Sequence, residues 1–359
     1  MTLPFSHGGT VHAVARLLGV PTGELLDFSA SINPLGPPPG VRQAVMTAFD
    51  QVVHYPDPEA TELRQALALR HALPPENLRV ANGSTELIHL LPRLLPGRRA
   101  LIVAPPFSEY AAALEGGGWE VQYFLLAPED GFELSLTKLE ERLADGFDLF
   151  VLANPGNPTG ALVPPAKVTH VLELCRRFKT VPVVDEAFMD FCPEESAIPL
   201  LLEGGEGIIL RSLTKFFALP GLRLGYAVGA TGIIRRLGEL IPPWSVGTLA
   251  QAAGVAALAD EEYRLRTLHL IAGERAFLAS SLTTLPGVHP YPSAANYLLV
   301  RITSGACAAP LQEKLLHQGI LIRDCGNFPA LSPDFFRVAV RSREENQRLL
   351  AALAEAMGV

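Results

Sequence analysis

The chain is short of cysteine. Its four, Cys175, Cys192, Cys307 and Cys325, are scattered without a Cys-x-x-Cys pair. That spacing offers neither a disulfide frame nor a zinc site and suits reduced thiols in the cytoplasm. Positive charge is short as well: 29 Lys and Arg stand against 37 Asp and Glu, for a net charge of -8. This balance argues against a nucleic-acid surface, although a few local arginines can still hold a small anion. No apolar run reaches the length of a membrane-spanning helix. The first stretch, Met1 to Gly19, lacks the basic segment and apolar core of a signal peptide. There is no internal repeat, and the 31 prolines and 31 glycines punctuate short elements without forming a low-complexity tract.

What is present describes a well-packed chain: 359 residues, 48% hydrophobic and 18% charged. That length exceeds one ordinary core and predicts two domains. The spacing divides them into a large domain over residues 40–240 and a small one joining residues 1–39 to 241–359. Helical spacing follows Val11–Leu18, runs from Val41 to Val52, and resumes through Leu63, Leu67 and Leu73. Strands are predicted at Leu78–Ala81, Ala100–Ala104, Trp119–Leu126, Asp148–Ala153, Val181–Val184, Ile208–Leu210 and Leu222–Val228. Helices fall between several of them, so the fold class is α/β, a mainly parallel sheet covered by helices. Beyond Ile241 a helical stretch from Thr248 to Leu285 precedes a smaller α+β pattern. Its strands are Asn296–Arg301, Ile320–Arg323 and Phe336–Val340, with helices at Leu311–His317 and Glu344–Met357.

The chemistry centres on Ser212-Leu213-Thr214-Lys215, just past the carboxyl end of a buried strand, where ligands of open α/β sheets bind. A lysine there can form a Schiff base with a carbonyl compound, pyridoxal phosphate above all. Three further strand ends meet the other demands of that cofactor. Gly83-Ser84-Thr85 opens a helix with free N–H groups and two hydroxyls, a cup for a phosphate. Asn157 can donate to the phenolic oxygen. Asp185, after an apolar strand, can pair with the pyridine nitrogen. Ser212, Thr214 and Arg223 add phosphate donors, and Tyr110 or Phe107 can stack on the ring. Each piece alone has a plain structural explanation; together and in this order they make a cofactor site.

The series Asn154-Pro155-Gly156-Asn157-Pro158-Thr159-Gly160, Asp185-Glu186-Ala187-Phe188 and Ser212-Leu213-Thr214-Lys215…Arg223 resembles the fold-type-I pyridoxal-phosphate aminotransferase superfamily, in its histidinol-phosphate-aminotransferase-like branch. Within it, His7-Gly8-Gly9, Asp27-Phe28-Ser29-Ala30-Ser31-Ile32-Asn33-Pro34-Leu35-Gly36, Arg211-Ser212-Leu213-Thr214-Lys215-Phe216 and Ile322-Arg323-Asp324-Cys325 resemble the threonine-phosphate decarboxylases of cobalamin biosynthesis. The resemblance implies a cytoplasmic homodimer with shared active sites and a phosphorylated amino-acid substrate, with no nucleic acid or membrane partner and no metal. Lys215 would carry the cofactor and Asp185 would pair with its ring nitrogen. Gly83, Ser84, Thr85, Ser212, Thr214 and Arg223 would hold the phosphate, joined by Tyr55 of the other subunit. Tyr110 would stack on the ring, Asn157 would serve its oxygen, and His7, Gly8, Ser31, Asn157, Arg323 and Arg337 would hold substrate. Two departures stand out. Phe188 replaces the Tyr usual in the aminotransferases, a change the decarboxylases share, and Ser31 lies where those decarboxylases often carry Asn. The residues leave open whether carboxylate or amino group is removed, so a histidinol-phosphate-type aminotransferase remains the alternative.

Overall fold

The structure, a computed structural model, describes residues 8–358. The chain opens with α1 (Val11–Leu18) and the short β1 (Leu26–Asp27), then α2 (Pro39–Ala48) and α3 (Thr61–His71). Alternation follows through β2 (Leu78–Asn82), α4 (Gly83–Leu94), β3 (Arg99–Ala104), α5 (Ser108–Gly116), β4 (Glu120–Leu125), α6 (Leu136–Leu143), β5 (Leu149–Ala153) and α7 (Pro165–Arg177). It continues with β6 (Val181–Asp185), α8 (Ile198–Gly204), β7 (Ile208–Ser212), β8 (Leu224–Gly229) and α9 (Thr231–Leu240). Two helices, α10 (Thr248–Ala259) and α11 (Glu261–Thr284), lead to β9 (Val288–Pro290) and β10 (Tyr297–Ile302). The chain closes with α12 (Ala308–His317), β11 (Ile320–Leu321), β12 (Arg323–Asp324), β13 (Phe335–Ala339) and α13 (Arg343–Met357). No described helix is long and apolar enough to cross a membrane.

A seven-stranded sheet in the order β2-β8-β7-β6-β5-β3-β4 carries the α/β part. It is mainly parallel, as the alternation predicted, with β8 alone running against its neighbours β2 and β7. Successive residues of the central strands bury on opposite faces: Phe150, Val184 and Ile209 join one apolar cluster, Val151, Val183 and Leu210 the other. Both faces being dry is why these strands read as continuous apolar runs, not as alternations. A four-stranded sheet, β12-β13-β10-β9, lies beyond it, and β1 pairs in parallel with β11.

Three predicted elements differ. The helical stretch from Thr248 is two helices, because the Asp260 side chain caps α11 by accepting from the Tyr263 N–H and so restarts it. The expected strand at 320–323 is split: Ile320–Leu321 pairs with β1, whereas Arg323 and Asp324 pair with β13. The helix from Val41 ends at Ala48 and tightens into a 3-10 turn over Phe49–Val53.

The seam between β6 and β7 is fastened by buried charge. Arg211 of β7 donates to Glu186 and to Asp190, each at 2.8 Å, with all three side chains almost wholly inaccessible. Burial pushes the Glu186 carboxyl up, and the Arg211 guanidinium opposes it. Such a cluster is worth little against an apolar replacement of the whole set, yet losing one member strands the others. Arg211→Leu is therefore expected to lose about 3–5 kcal/mol in urea unfolding, and a loss below ~1 kcal/mol would show that the cluster does not hold the seam.

Candidate active site

Parallel register decides which side chains meet. Asp185, the last residue of β6, stands opposite Ala153 of β5 and Leu210 of β7. Asn157 just past β5 and Lys215 just past β7 therefore emerge at the same carboxyl edge, on either side of Asp185. The third wall is the start of α4, which leaves β2 beside β8. A Cβ at Gly225 of β8 would lie 2.3 Å from the Ser84 nitrogen, so only glycine admits the helix end this close. Asn82 makes no side-chain cap to this helix, which leaves its first N–H groups for another acceptor. Gly83, in the left-handed region at φ 79, makes room for Arg223: a Cβ there would stand 2.8 Å from Arg223 Nη2.

These edges and the small sheet enclose a cavity of about 560 Å3. Thr85, Phe107, Asn157, Phe188, Lys215 and Arg223 line it from the large sheet, and Gly8, Ser31, Arg323 and Arg337 from the other side. Below it Asp185 is 5% exposed; Tyr110 Oη donates to its Oδ2 at 2.6 Å and the Ala187 N–H to its Oδ1 at 2.9 Å. Burial pushes this carboxyl up, against those two hydrogen bonds and the charge of Lys215. Lys215 Nζ donates to Thr214 Oγ1 at 2.8 Å, and that oxygen is also bonded to Ser212 Oγ. Burial first, then the charges of Arg223 and Arg337, bring the Lys215 amine down to about 8, with Asp185 opposing. Arg337 donates from Nη1 to Asn157 Oδ1 and from Nη2 to the Ser29 carbonyl at 2.9 Å. Because Arg337 occupies the amide oxygen, Asn157 has its NH2 group to offer as a donor.

On the other side Arg323 donates to Asn327 Oδ1 at 2.8 Å, and its guanidinium lies 5.0 Å over the Phe328 ring. Arg323 and Arg337 are direct register partners across β12 and β13. Burial and the neighbouring Arg337 charge pull the Arg323 guanidinium below its usual value, with Cys325 and Asp324 countering. Two adjacent buried cations form a receptor for anions. Ser31 Oγ and Arg337 Nε are buried there with no hydrogen-bond partner.

The model of the class I and II aminotransferases matches residues 23–353. The chain belongs to that family. It is 41% identical to a threonine-phosphate decarboxylase of Salmonella typhimurium, over 97% of this chain and 95% of that one. It is 33% identical to a bifunctional adenosylcobalamin biosynthesis protein of Leptospira interrogans, over 99% of this chain and 41% of the larger one. Among solved structures, the histidinol-phosphate aminotransferase of Sinorhizobium meliloti in complex with pyridoxal-5'-phosphate superposes with a TM-score of 0.87. It is 26% identical, with 99% of this chain and 95% of that one covered.

In this member of the class I and II aminotransferase family, most of the residues expected to act together do lie together. Tyr110 is one exception. Expected to stack on a cofactor ring, it is buried beneath Asp185 with its hydroxyl committed to that carboxylate, and Phe107, edge-on to it at 5.8 Å, is the aromatic that lines the cavity. Ser212 and Thr214 are buried behind the lysine, bonded to one another. Tyr55 does not line this cavity: it is 79% exposed and stacks on Trp244 at 4.4 Å. His7 lies outside the described residues. Asn327 and Phe328, which steady Arg323, were missed, since a polar and an aromatic residue in a loop carry no periodic signal. A lysine held near pH 8 should react first with aldehydes. Limited reductive alkylation with a small aldehyde is expected to label Lys215 ahead of Lys138, Lys167, Lys179 and Lys314, at a rate rising with pH through about 8. Mass spectrometry of the peptides checks this, and uniform labelling would contradict it.

Proposed function

We propose that the cavity binds pyridoxal 5'-phosphate and that the enzyme decarboxylates L-threonine O-3-phosphate to (R)-1-aminopropan-2-yl phosphate and CO2, for the aminopropanol arm of cobalamin. The observation that carries this is the adjacent, buried pair Arg323 and Arg337, which suits a substrate with a phosphate and a carboxylate on neighbouring carbons. The likeness to a threonine-phosphate decarboxylase over nearly the whole chain supports the same reading.

The donor set fits the cofactor. Asp185, pushed up by burial, gains most from a cationic ring nitrogen above it. Lys215 has a nucleophilic amine at the cavity wall, the α4 N-terminus with Thr85 and Arg223 offers a phosphate cradle, and Asn157 offers an amide donor. Pyridoxal phosphate, when bound, supplies the electron sink for the pair left on Cα as CO2 departs. The residues do the rest. Asp185 would keep the ring nitrogen protonated, and Lys215 would deliver a proton to Cα through Nζ. Arg337, whose charge already reaches Lys215, would hold the carboxylate near the reacting carbon. Arg323, braced by Asn327 and Phe328, would hold the phosphate. Between them the arginines choose which bond at Cα stands upright from the ring plane, and so which one breaks.

The enzyme acts as a homodimer in this reading. Phe49, Val53, Tyr55 and Trp244 make an exposed apolar surface, 57%, 78%, 79% and 47% accessible, and Tyr55 of one protomer would reach the cofactor phosphate held by its partner.

The test is purified protein with pyridoxal phosphate and phosphothreonine, which is expected to release CO2 and a phosphorylated amine. Amino transfer to 2-oxoglutarate faster than CO2 release would establish a histidinol-phosphate-type aminotransferase instead. Arg323→Ala should raise KM about 30-fold or more while the cofactor's visible band is retained; loss of the band would mean that Arg323 serves the cofactor. Asp185→Ala should retain the cofactor but lose on the order of 100-fold in kcat.

A further inference from the structure

Tyr297 does not line the cavity, yet it touches three of the elements that do. It is fully buried at the start of β10. Its hydroxyl donates at 2.6 Å to the carbonyl of Gly156, the residue before Asn157. One ring face lies 4.9 Å beneath the Arg337 guanidinium. The edge-to-face partner of the ring, at 4.9 Å and 83°, is Phe188.

The sheet explains the first pairing. Across β10 and β13, Tyr297 stands opposite Ala339 and Leu299 opposite Arg337, so Tyr297 and Arg337 are diagonal neighbours on one face, within reach of long side chains. The arginine then donates to Asn157 Oδ1, and the tyrosine hydroxyl returns to the same loop through Gly156. The contacts close on themselves: ring, guanidinium, amide, loop carbonyl, hydroxyl. This circuit ties the small sheet to the loop that follows β5 of the large one. The adjoining segment is fitted closely too, since Ala294 donates to the Gly160 carbonyl at 2.9 Å and a Cβ at Gly160 would meet Ser293 Oγ at 2.2 Å.

Gly156 does not need the hydroxyl for its own satisfaction, because the Gly160 N–H already donates to the same carbonyl at 2.6 Å. The bond therefore adds position and not merely a filled acceptor. Arg337 Nε has no hydrogen-bond partner, so the ring face restrains a guanidinium that hydrogen bonds hold only at its two ends.

We propose that Tyr297 is a positioning residue, which through its hydroxyl sets the amide of Asn157 toward the cofactor ring and through its face sets Arg337 toward the substrate, so that the two are placed in one geometry. The inference rests on the cofactor reading given above.

The test is Tyr297→Phe, which removes one oxygen and keeps the ring. With pyridoxal phosphate bound, the pH midpoint of the visible band is expected to rise by about half a unit, the size of one weakened neutral hydrogen bond. On the same scale kcat should fall several-fold, while KM for phosphothreonine stays within about twofold. Tyr297→Leu also removes the platform under Arg337 and should raise KM about tenfold. In a cycle with Asn157→Ala, the midpoint shifts should be strongly non-additive, because the tyrosine acts through the asparagine. A Tyr297→Phe midpoint equal to that of the unaltered enzyme overturns the inference, as do additive shifts in the cycle. Absence of any cofactor band in the unaltered enzyme overturns the cofactor reading, and this inference with it.

Discussion

Everything in the site depends on two parallel strands ending side by side in a dry sheet. The β6–β7 register brings a carboxylate and an amine to one edge, and burial then works on both. It pushes the acid of Asp185 up and the amine of Lys215 down. Both charges are under-solvated until something cationic meets the first and something electrophilic meets the second. The edge is kept rigid by a second set of charges directly behind it, Arg211 of β7 with Glu186 and Asp190 from the segment that follows β6. One ion cluster holds the seam, and the groups on its far side are left reactive.

The small sheet answers a different demand. Reactive groups at a sheet edge do not select a substrate, and in the proposed reading the selecting groups would come from β12 and β13, far along the chain. Arg323 and Arg337 face each other in register, and hydrogen bonds and aromatic faces hold each of them. The N-terminal segment closes the other side: the Gly9 N–H donates to Ser29 Oγ at 3.0 Å, and a Cβ at Gly8 would lie 2.2 Å from the Ser29 carbonyl oxygen. In the proposed reading cofactor and substrate would be served by different sheets, which is how one family can keep a cofactor site and vary the bond it breaks.

The strands of the large sheet and the four residues at their ends were legible because each obeys a local rule: apolar runs for doubly buried strands, and a helix start, a carboxylate, an amide and a lysine where strands stop. What was not legible is what depends on partners remote in sequence. Tyr110 and Phe107 both fit a stacking role by composition, and only the fold shows that one gives its hydroxyl to Asp185 while the other faces the cavity. The split of β11 from β12 follows from pairing with β1 on one side and β13 on the other, which no pattern within residues 320–324 announces. The hold of Tyr297 on Gly156 likewise spans the two sheets.

The central claim concerns a bond at Cα, and the fate of the hydrogen on that carbon tests it most directly. Phosphothreonine carrying deuterium at Cα should give (R)-1-aminopropan-2-yl phosphate that retains the deuterium, with one solvent proton added at the carbon that lost CO2. Loss of the deuterium into water, with a keto product and amino transfer, would contradict the account.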